Sequence, residues 1–141
     1  IARGIRPAAL DAGLTTAVQT LAARSALPVA VEVFGDVDGF NPTVRAAAYY
    51  AVTELVNNAT KHGGASHVTV TLRRAAERTL LIEVADDGVG GARVVPGGER
   101  LGADSHTGLA ALADRVAALD GTMLVDSPTG GPTNIILTLN Q

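Results

Sequence analysis

The sequence contains no cysteine and no tryptophan, and aromatic residues make up only 3% of its 141 residues. Without cysteine the chain can form no disulfide bond, no thiolate metal site and no cysteine nucleophile, which agrees with a cytoplasmic setting. With so few aromatic side chains, a core has to be built from Ala, Val, Leu and Ile. The hydrophobic content of 47% is sufficient for such a core.

A strong charge of one sign is also absent. The 11 basic and 14 acidic residues leave a net charge of −3, so we expect no nucleic-acid partner and no direct contact with an anionic membrane. No apolar run approaches the length of a transmembrane helix, and no signal segment opens the chain. Because the chain begins at Ile1 without a methionine, we expect it to be part of a longer protein. Any membrane anchor would then lie in the rest of that protein.

The length and the hydrophobic pattern predict one domain over residues 1–141. Apolar residues at spacings of three and four predict three helices, and short β-rich runs predict five strands. Such a set of elements forms an α+β two-layer sandwich, in which three helices pack on one face of a mixed sheet of about five strands. The predicted helices span about 7–26, 42–62 and 108–119, and the predicted strands 29–34, 68–72, 80–84, 122–126 and 134–139.

The segment from Asp86 to about Thr107 is rich in glycine, and its apolar residues do not recur at the spacing of a helix or a strand. It is far longer than the usual connection of about 4–6 residues. A loop of that length in a small domain is usually functional or disordered.

The second predicted helix has a polar stripe beside its apolar face. At about 100° per residue, Glu54, Asn58 and Lys61 share one side of the helix. A glutamate can accept a proton, an asparagine carbonyl is a hard oxygen ligand suited to Mg²⁺, and a lysine can contact a phosphate. An ordinary solvated helix face is the alternative interpretation.

The third predicted strand ends in an acidic and glycine-rich turn. Asp86 follows the strand, and Gly88 and Gly90 allow a ligand to approach the backbone closely. A carboxylate at that place could accept a hydrogen bond from the exocyclic amine of adenine. A plain Asp-Gly turn, which is common, is the alternative.

Two further segments contain candidate binding residues. His106, Thr107, Gly108 and Leu109 open the third helix, and the free N–H groups of a helix N-terminus can bind phosphates. Thr133 follows a glycine-proline turn and could supply a hydroxyl to an adenine pocket.

These motifs together resemble the ATP-binding catalytic domain of sensor histidine kinases. That domain belongs to the GHKL superfamily, which includes gyrase, the heat-shock-ninety chaperones and mismatch-repair MutL, and it adopts the Bergerat fold. Residues 54–62 resemble its asparagine box and residues 86–90 its first glycine box. Residues 106–109 and 131–133 resemble the second and third glycine boxes, with a long ATP lid over about 90–107.

Two segments resemble the histidine kinase subfamily that pairs with LuxR/NarL-type response regulators. They are residues 3–10 and residues 109–116. The resemblance implies transfer of the ATP γ-phosphate to a histidine on the protein's own dimerisation helices, and then to the response regulator. Residues 1–7 would be the tail of the connection from those helices. Since dimerisation resides in the missing helices, we expect the fragment to be monomeric.

The resemblance also implies roles for the helix residues. Asn58 would hold Mg²⁺, and Glu54 would orient or deprotonate groups near the transferred phosphate. Lys61 and His62 would contact phosphate or ribose.

The glycine boxes would form the rest of the nucleotide site. Asp86 would accept from the adenine amine, Gly88 and Gly90 would shape its pocket, and Gly108 would begin the phosphate-facing helix. The second box departs from the family pattern, because His106 stands where glycine is usual. In the third box Pro132 stands immediately before the threonine.

None of the three histidines matches a phosphoacceptor. His62, His67 and His106 precede Gly63, Val68 and Thr107, whereas acceptor histidines of the family lie on a helix and are usually followed by an acidic or amide residue. We therefore expect the fragment to bind ATP without phosphorylating itself.

Two other functions remain compatible with the sequence. One is a serine-kinase anti-sigma factor, which shares the nucleotide fold but phosphorylates a protein serine. The other is a non-catalytic module whose interactions depend on nucleotide.

Overall fold

The computed structural model describes residues 8–62, 64–89 and 107–141. In this part of the chain, three α-helices pack against one five-stranded sheet. Short 3-10 helices at Ala8–Ala12 and Val37–Gly39 precede the first and second α-helices. The helices are α1 (Leu14–Arg24), α2 (Pro42–His62) and α3 (Thr107–Ala118), and the strands are β1 (Val29–Phe34), β2 (Val68–Ala76), β3 (Thr79–Asp86), β4 (Thr122–Asp126) and β5 (Thr133–Asn140).

The sheet has the strand order β1-β2-β3-β5-β4. β1 and β2 are parallel, whereas the other three pairings are antiparallel. The predicted α+β sandwich, with a mixed five-stranded sheet and three helices, is therefore confirmed.

The core lies between the helices and one face of the sheet. In β5 every second residue is buried, as expected for a strand with one face on a core. The facing side of α2 consists of small and branched side chains, which let the helix lie close to the sheet. Phe40 is the one aromatic residue in the described core, which otherwise consists of Ala, Val, Leu and Ile, as the composition predicts.

Asn41 caps the start of α2. The Asn41 side-chain Oδ1 accepts a hydrogen bond from the Val44 N–H at 2.9 Å, and Pro42 is the first helical residue. The Asn41 N–H in turn donates to the Gln141 Oε1 at 2.7 Å. The N-terminus of α2 therefore lies at the edge of the sheet where β5 ends.

The first predicted helix is interrupted, so its continuous span of about 7–26 is wrong. Gly13 adopts a φ of 101°, and its N–H bonds to the Leu10 carbonyl, so that α1 begins only at Leu14. Asp38 accepts from the Thr15 N–H at 3.1 Å and satisfies a free donor of the new helix start. Leu10 and Leu14 are both buried, so the apolar spacing did identify core residues.

Gly121, which follows α3, does not take the left-handed position that ends the helix. Asp120, with a φ of 54°, takes the left-handed position, and the Gly121 N–H bonds to the Val116 carbonyl at 2.9 Å. A Cβ on Gly121 would lie 1.9 Å from the Thr138 carbonyl oxygen. Glycine is therefore required because the end of α3 passes very close to β5.

Across the three described ranges, no helix combines the length and the apolar character that crossing a membrane requires.

Candidate functional site

One edge of the sheet brings the sequence motifs together. Val68 at the start of β2 pairs with Asp86 at the end of β3, and Asp86 pairs with Thr133 at the start of β5. Asp126, the last residue of β4, lies at the same edge. We call this edge, formed by Val68, Asp86, Thr133 and Asp126, the site edge.

Two helix termini lie at the site edge. α2 begins at the opposite edge, beside Gln141, and ends at His62, shortly before β2. α3 ends near Thr138 at the opposite edge, so its first residue, Thr107, lies toward the site edge. The C-terminal half of α2 and the N-terminus of α3 therefore approach the ends of β3 and β5.

Asp86 lies on the helix-facing side of the sheet. The alternate residues Leu80, Ile82 and Val84 of β3 are buried in the core, and Asp86 continues their alternation with a half-buried side chain. Its Oδ1 accepts a hydrogen bond from the Gly88 N–H at 2.8 Å. Among the described residues, no donor reaches its second oxygen, Oδ2. A half-buried carboxylate with one oxygen available is suited to a neutral N–H donor.

Burial raises the pKa of Asp86 above its ordinary value. The hydrogen bond from the Gly88 N–H acts in the opposite direction, and the neighbouring charge of Asp87 raises the pKa further. No cation within the described ranges pairs with Asp86. An N–H donor from a bound ligand would therefore stabilise the ionised form of this carboxylate.

Thr133 lies directly across from Asp86 on the same face of the sheet. Residues opposed in this way have Cβ atoms about 4.5–5.5 Å apart. The Thr133 side chain is buried, and its hydroxyl shares a 2.6 Å hydrogen bond with the Ser127 hydroxyl. A carboxylate and a hydroxyl thus stand side by side at the site edge.

The polar stripe of α2 lies at the border between core and solvent. Glu54 and Asn58 are half-buried, whereas Lys61 and the neighbouring Asn57 are exposed. The predicted apolar face is buried; it comprises Ala48, Val52, Leu55 and Ala59. In the described part of the chain, no hydrogen bond or ion pair occupies Glu54, Asn58 or Lys61. An ordinary solvated face would leave Glu54 and Asn58 more exposed than they are.

Some predicted site residues lie outside the described residues. These are Gly90, His106 and all of the predicted lid except Thr107. His62 is the last residue of α2, and Thr107 and Gly108 are the first two residues of α3. Leu109 is buried in the core and anchors the start of α3. The nucleotide contacts assigned to these residues stay predictions.

Three loops at the site edge are joined by contacts that the sequence did not indicate. The Asp87 carboxylate accepts hydrogen bonds from the backbone N–H groups of Ser66 and His67, and the Gly130 N–H donates to the Val89 carbonyl at 2.6 Å. The turn after β3 is therefore attached to the loop after α2 and to the loop between β4 and β5. In the sequence, Asp87 is distinguished only as the second of two consecutive carboxylates, because its hydrogen-bond partners are about twenty residues away.

The described residues contain no group of three or more His, Asp or Glu side chains that could hold a metal ion. A metal at this edge would therefore need oxygen ligands from Asn58 and from a bound phosphate. Mg²⁺ is commonly held in this manner, with few protein ligands, substrate phosphates and several waters. The available donors fit Mg²⁺ delivered together with a nucleotide.

Comparison with known proteins identifies the family. Residues 43–141 match the model of the histidine kinase-, DNA gyrase B-, and HSP90-like ATPase family. The chain belongs to this family. The match contains nearly all of α2, the strand end at Asp86, α3 and Thr133, so the residues of the site edge lie within the matched domain.

Two curated relatives are bacterial sensor kinases. The sensor histidine kinase NarS of Mycobacterium tuberculosis is 35% identical in an alignment that covers 97% of this chain and 32% of NarS. The sensor histidine kinase MctS of Rhizobium johnstonii is 31% identical, with 94% of this chain and 29% of MctS covered. The chain thus spans about a third of the length of the curated relatives that it matches.

A solved structure has the same fold. The histidine kinase domain of the blue-light activated histidine kinase of Erythrobacter litoralis aligns with a TM-score of 0.64 at 20% identity, over 91% of this chain and 61% of that one. The ATPase-domain fold expected from the sequence motifs is therefore confirmed.

Proposed function

We propose that this chain is the catalytic domain of a two-component sensor histidine kinase, which binds Mg-ATP and transfers the γ-phosphate to a histidine on a separate dimerisation domain. The observation that carries the proposal is the placement of Asp86 and Thr133 side by side at the site edge, next to the end of α2. The two sensor histidine kinases to which the chain is similar support the assignment to a kinase.

Asp86 recognises the adenine. Its available Oδ2 accepts a hydrogen bond from the exocyclic amine, while Oδ1 stays bonded to the Gly88 N–H. The buried Thr133 hydroxyl completes the polar part of the pocket, and Gly88 and Gly90 allow the ring to approach the backbone. Guanine has a carbonyl at the place of the adenine amine, so this arrangement favours adenine nucleotides.

The phosphates lie between the two helix termini. The N-terminus of α3, at Thr107 and Gly108, offers free N–H groups and the positive end of the helix dipole. On α2, the Asn58 carbonyl oxygen would hold Mg²⁺, and Lys61 and His62 would contact phosphate or ribose. When bound, Mg²⁺ neutralises charge on the phosphates.

Glu54 lies about one helical turn before Asn58 and is half-buried beside it. It is placed to orient the acceptor histidine or to take its proton as the γ-phosphate is transferred. Catalysis then consists mainly of positioning and charge neutralisation, as is usual for phosphoryl transfer.

The partners follow from this assignment. The acceptor histidine belongs to the protein's own dimerisation helices, outside this chain. Residues 3–10 and 109–116 resemble the subfamily that pairs with LuxR/NarL-type response regulators, so a regulator of that type would receive the phosphate. We place the domain in the cytoplasm and expect the isolated chain to be a monomer.

A trans-phosphorylation assay tests the proposal. The chain is mixed with the dimerisation helices of its parent protein and γ-radiolabelled ATP, and the labelled residue is identified. We expect label on a histidine of those helices. Glu54→Gln should lower the transfer rate by about 100-fold or more while ATP affinity is retained.

Asn57→Ala is the matched control, because Asn57 is exposed on the same helix and has no assigned role. It should transfer phosphate at the wild-type rate. Label on serine would instead indicate the anti-sigma-factor type of kinase, and ATP binding without transfer would indicate the non-catalytic interaction module.

A further inference from the structure

We propose that Asp87 is a positioning residue that holds Asp86 in the orientation needed to bind adenine. It does so by clamping the turn that follows β3 to residues 64–67, the loop that follows α2. The inference rests on the proposed function, because it takes Asp86 as the adenine-binding carboxylate.

Both oxygens of the Asp87 carboxylate accept hydrogen bonds from this loop. Its Oδ1 accepts from the Ser66 N–H at 2.8 Å and from the His67 N–H at 3.1 Å. Its Oδ2 accepts from the Ser66 hydroxyl and lies 3.2 Å from the His67 Nδ1. Three hydrogen bonds from Ser66 and His67 therefore hold this carboxylate, and they use both of its oxygens. These bonds, that from the Ser66 hydroxyl first, lower the pKa of Asp87 and keep it ionised.

The clamp acts on Asp86 through the backbone. Among the described residues, only the Gly88 N–H within the same turn holds the Asp86 carboxylate, so the path of that turn determines where Oδ2 points. Asp87 fixes the turn on one side, and the bond from the Gly130 N–H to the Val89 carbonyl fixes it on the other. Without Asp87, one of these two attachments is lost immediately next to Asp86.

The clamp also connects the two halves of the nucleotide site. The loop of residues 64–67 directly continues the chain from the end of α2, which carries Asn58. Gly64, with a φ of 59°, brings this loop next to the Val89 side chain. The hydrogen bonds of Asp87 therefore link the adenine-binding turn to α2, the helix that is proposed to hold the metal and to contact the phosphates.

The test compares the affinities of the full 141-residue chain for ADP and for inosine diphosphate (IDP) by calorimetry. Inosine has a carbonyl at the place of the adenine amine, so the ratio of the two affinities reports the hydrogen bond to Asp86. For the wild type we expect ADP to bind about 10–100-fold more tightly than IDP. Asp86→Ala should reduce the ratio to about one.

If Asp87 acts through Asp86, Asp87→Ala should reduce the ratio of ADP affinity to IDP affinity to about three or less. Asp87→Asn keeps an acceptor oxygen for the two backbone N–H groups and should restore part of the ratio. In the Asp86→Ala background, Asp87→Ala should change the ratio no further. Glu77→Ala, which removes an exposed carboxylate from the turn between β2 and β3 at the other end of the strand, should leave the ratio at its wild-type value.

An Asp87→Ala chain that weakens ADP and IDP equally, or weakens neither, overturns the inference, because Asp87 would then contribute only to stability. If Asp87→Ala does not fold, Asp87→Asn and Ser66→Ala decide in its place, since each weakens the clamp more mildly. An unchanged ratio in Asp86→Ala would instead refute the assignment of Asp86 to adenine, and the proposed function would lose its main support.

Discussion

At the scale of single residues, two consecutive carboxylates at the end of β3 have opposite environments. Asp86 is half-buried, and burial raises its pKa, whereas Asp87 is surrounded by donors that lower its pKa. The difference arises because Asp86 still belongs to the strand and faces the helices, while Asp87 has left the strand and faces the loop after α2. Asp86 can therefore accept a hydrogen bond from a ligand, whereas Asp87 already accepts hydrogen bonds from the loop after α2.

The raised pKa of Asp86 predicts a pH dependence of nucleotide affinity. Only the ionised carboxylate can accept from the adenine amine with either oxygen, so affinity should fall as the pH drops through the pKa of Asp86. This fall should occur at a higher pH than for an ordinary aspartate, whose pKa is about 3.9. The measurement is the Kd of ADP for the wild type and for Asp86→Asn between about pH 7 and pH 4.

The phosphates of ADP titrate in both proteins, so the difference between the two curves reports Asp86. That difference should shrink on acidification, because Asp86→Asn has no carboxyl group to protonate at this position. A difference that stays constant over the whole range would contradict the assignment.

The sequence predicted Asp86 and Thr133 because each stands at a strand end, where period-two alternation determines its side of the sheet. It gave no indication of Asp87, since an Asp-Gly turn is common and is usually no more than a turn. Its partners Ser66 and His67 come near it only because β2 and β3 pair in one particular register. The register of the strands depends on contacts across the whole sheet, so it cannot be predicted from short-range sequence patterns.

At the scale of elements, the prediction succeeded where local chemistry determines the boundary. α2 spans the predicted residues because Asn41 caps its start through its own side chain. The first helix was predicted wrongly, because its break at Gly13 is stabilised by Asp38, which accepts from the Thr15 N–H across a separation of 23 positions. β2 and β3 are longer than predicted, because pairing between them continues as far as Ala76 and Thr79.

The contact between the end of α3 and β5 predicts a large effect of one methyl group. In Gly121→Ala the new Cβ would overlap the Thr138 carbonyl oxygen, which is backbone and cannot rotate away. We expect a loss of about 3 kcal/mol in the free energy of unfolding. Urea denaturation of the purified chain measures this loss.

Gly130→Ala is the matched control for backbone strain. Gly130 has a φ of 82° but open space at its Cβ position, so alanine there should cost only about 1 kcal/mol. Equal stability of the two variants would contradict the overlap that is expected between a Cβ at position 121 and the Thr138 carbonyl oxygen.

At the scale of the whole molecule, the fold collects groups that are far apart in the sequence. The end of α2, the start of α3 and the ends of β3 and β5 meet at one edge, and each contributes one type of polar group. The order of the motifs along the chain was sufficient to predict this fold and the ATPase family. The distances between Asn58, Asp86 and the phosphate-binding helix could not be predicted, because they depend on how α2 and α3 pack on the sheet.

The absence of a phosphoacceptor motif predicts the behaviour of the isolated chain. When the purified chain is incubated with γ-radiolabelled ATP and Mg²⁺ alone, we expect no label on the protein. Addition of the parent's dimerisation helices should produce label on those helices. Acid-labile label on the isolated chain would show that one of its own histidines is an acceptor.

The most direct test of the account is a calorimetric titration of the chain with ATP, with and without Mg²⁺. We expect binding in the micromolar to millimolar range, equivalent to about 4–8 kcal/mol. Asp86→Ala should weaken it by about 10–100-fold, Asn58→Ala should remove its dependence on Mg²⁺, and Asn57→Ala should behave as the wild type. Wild-type affinity in Asp86→Ala, or no binding by the wild type at millimolar ATP, would contradict the central claim that Asp86 anchors the nucleotide at this edge of the sheet.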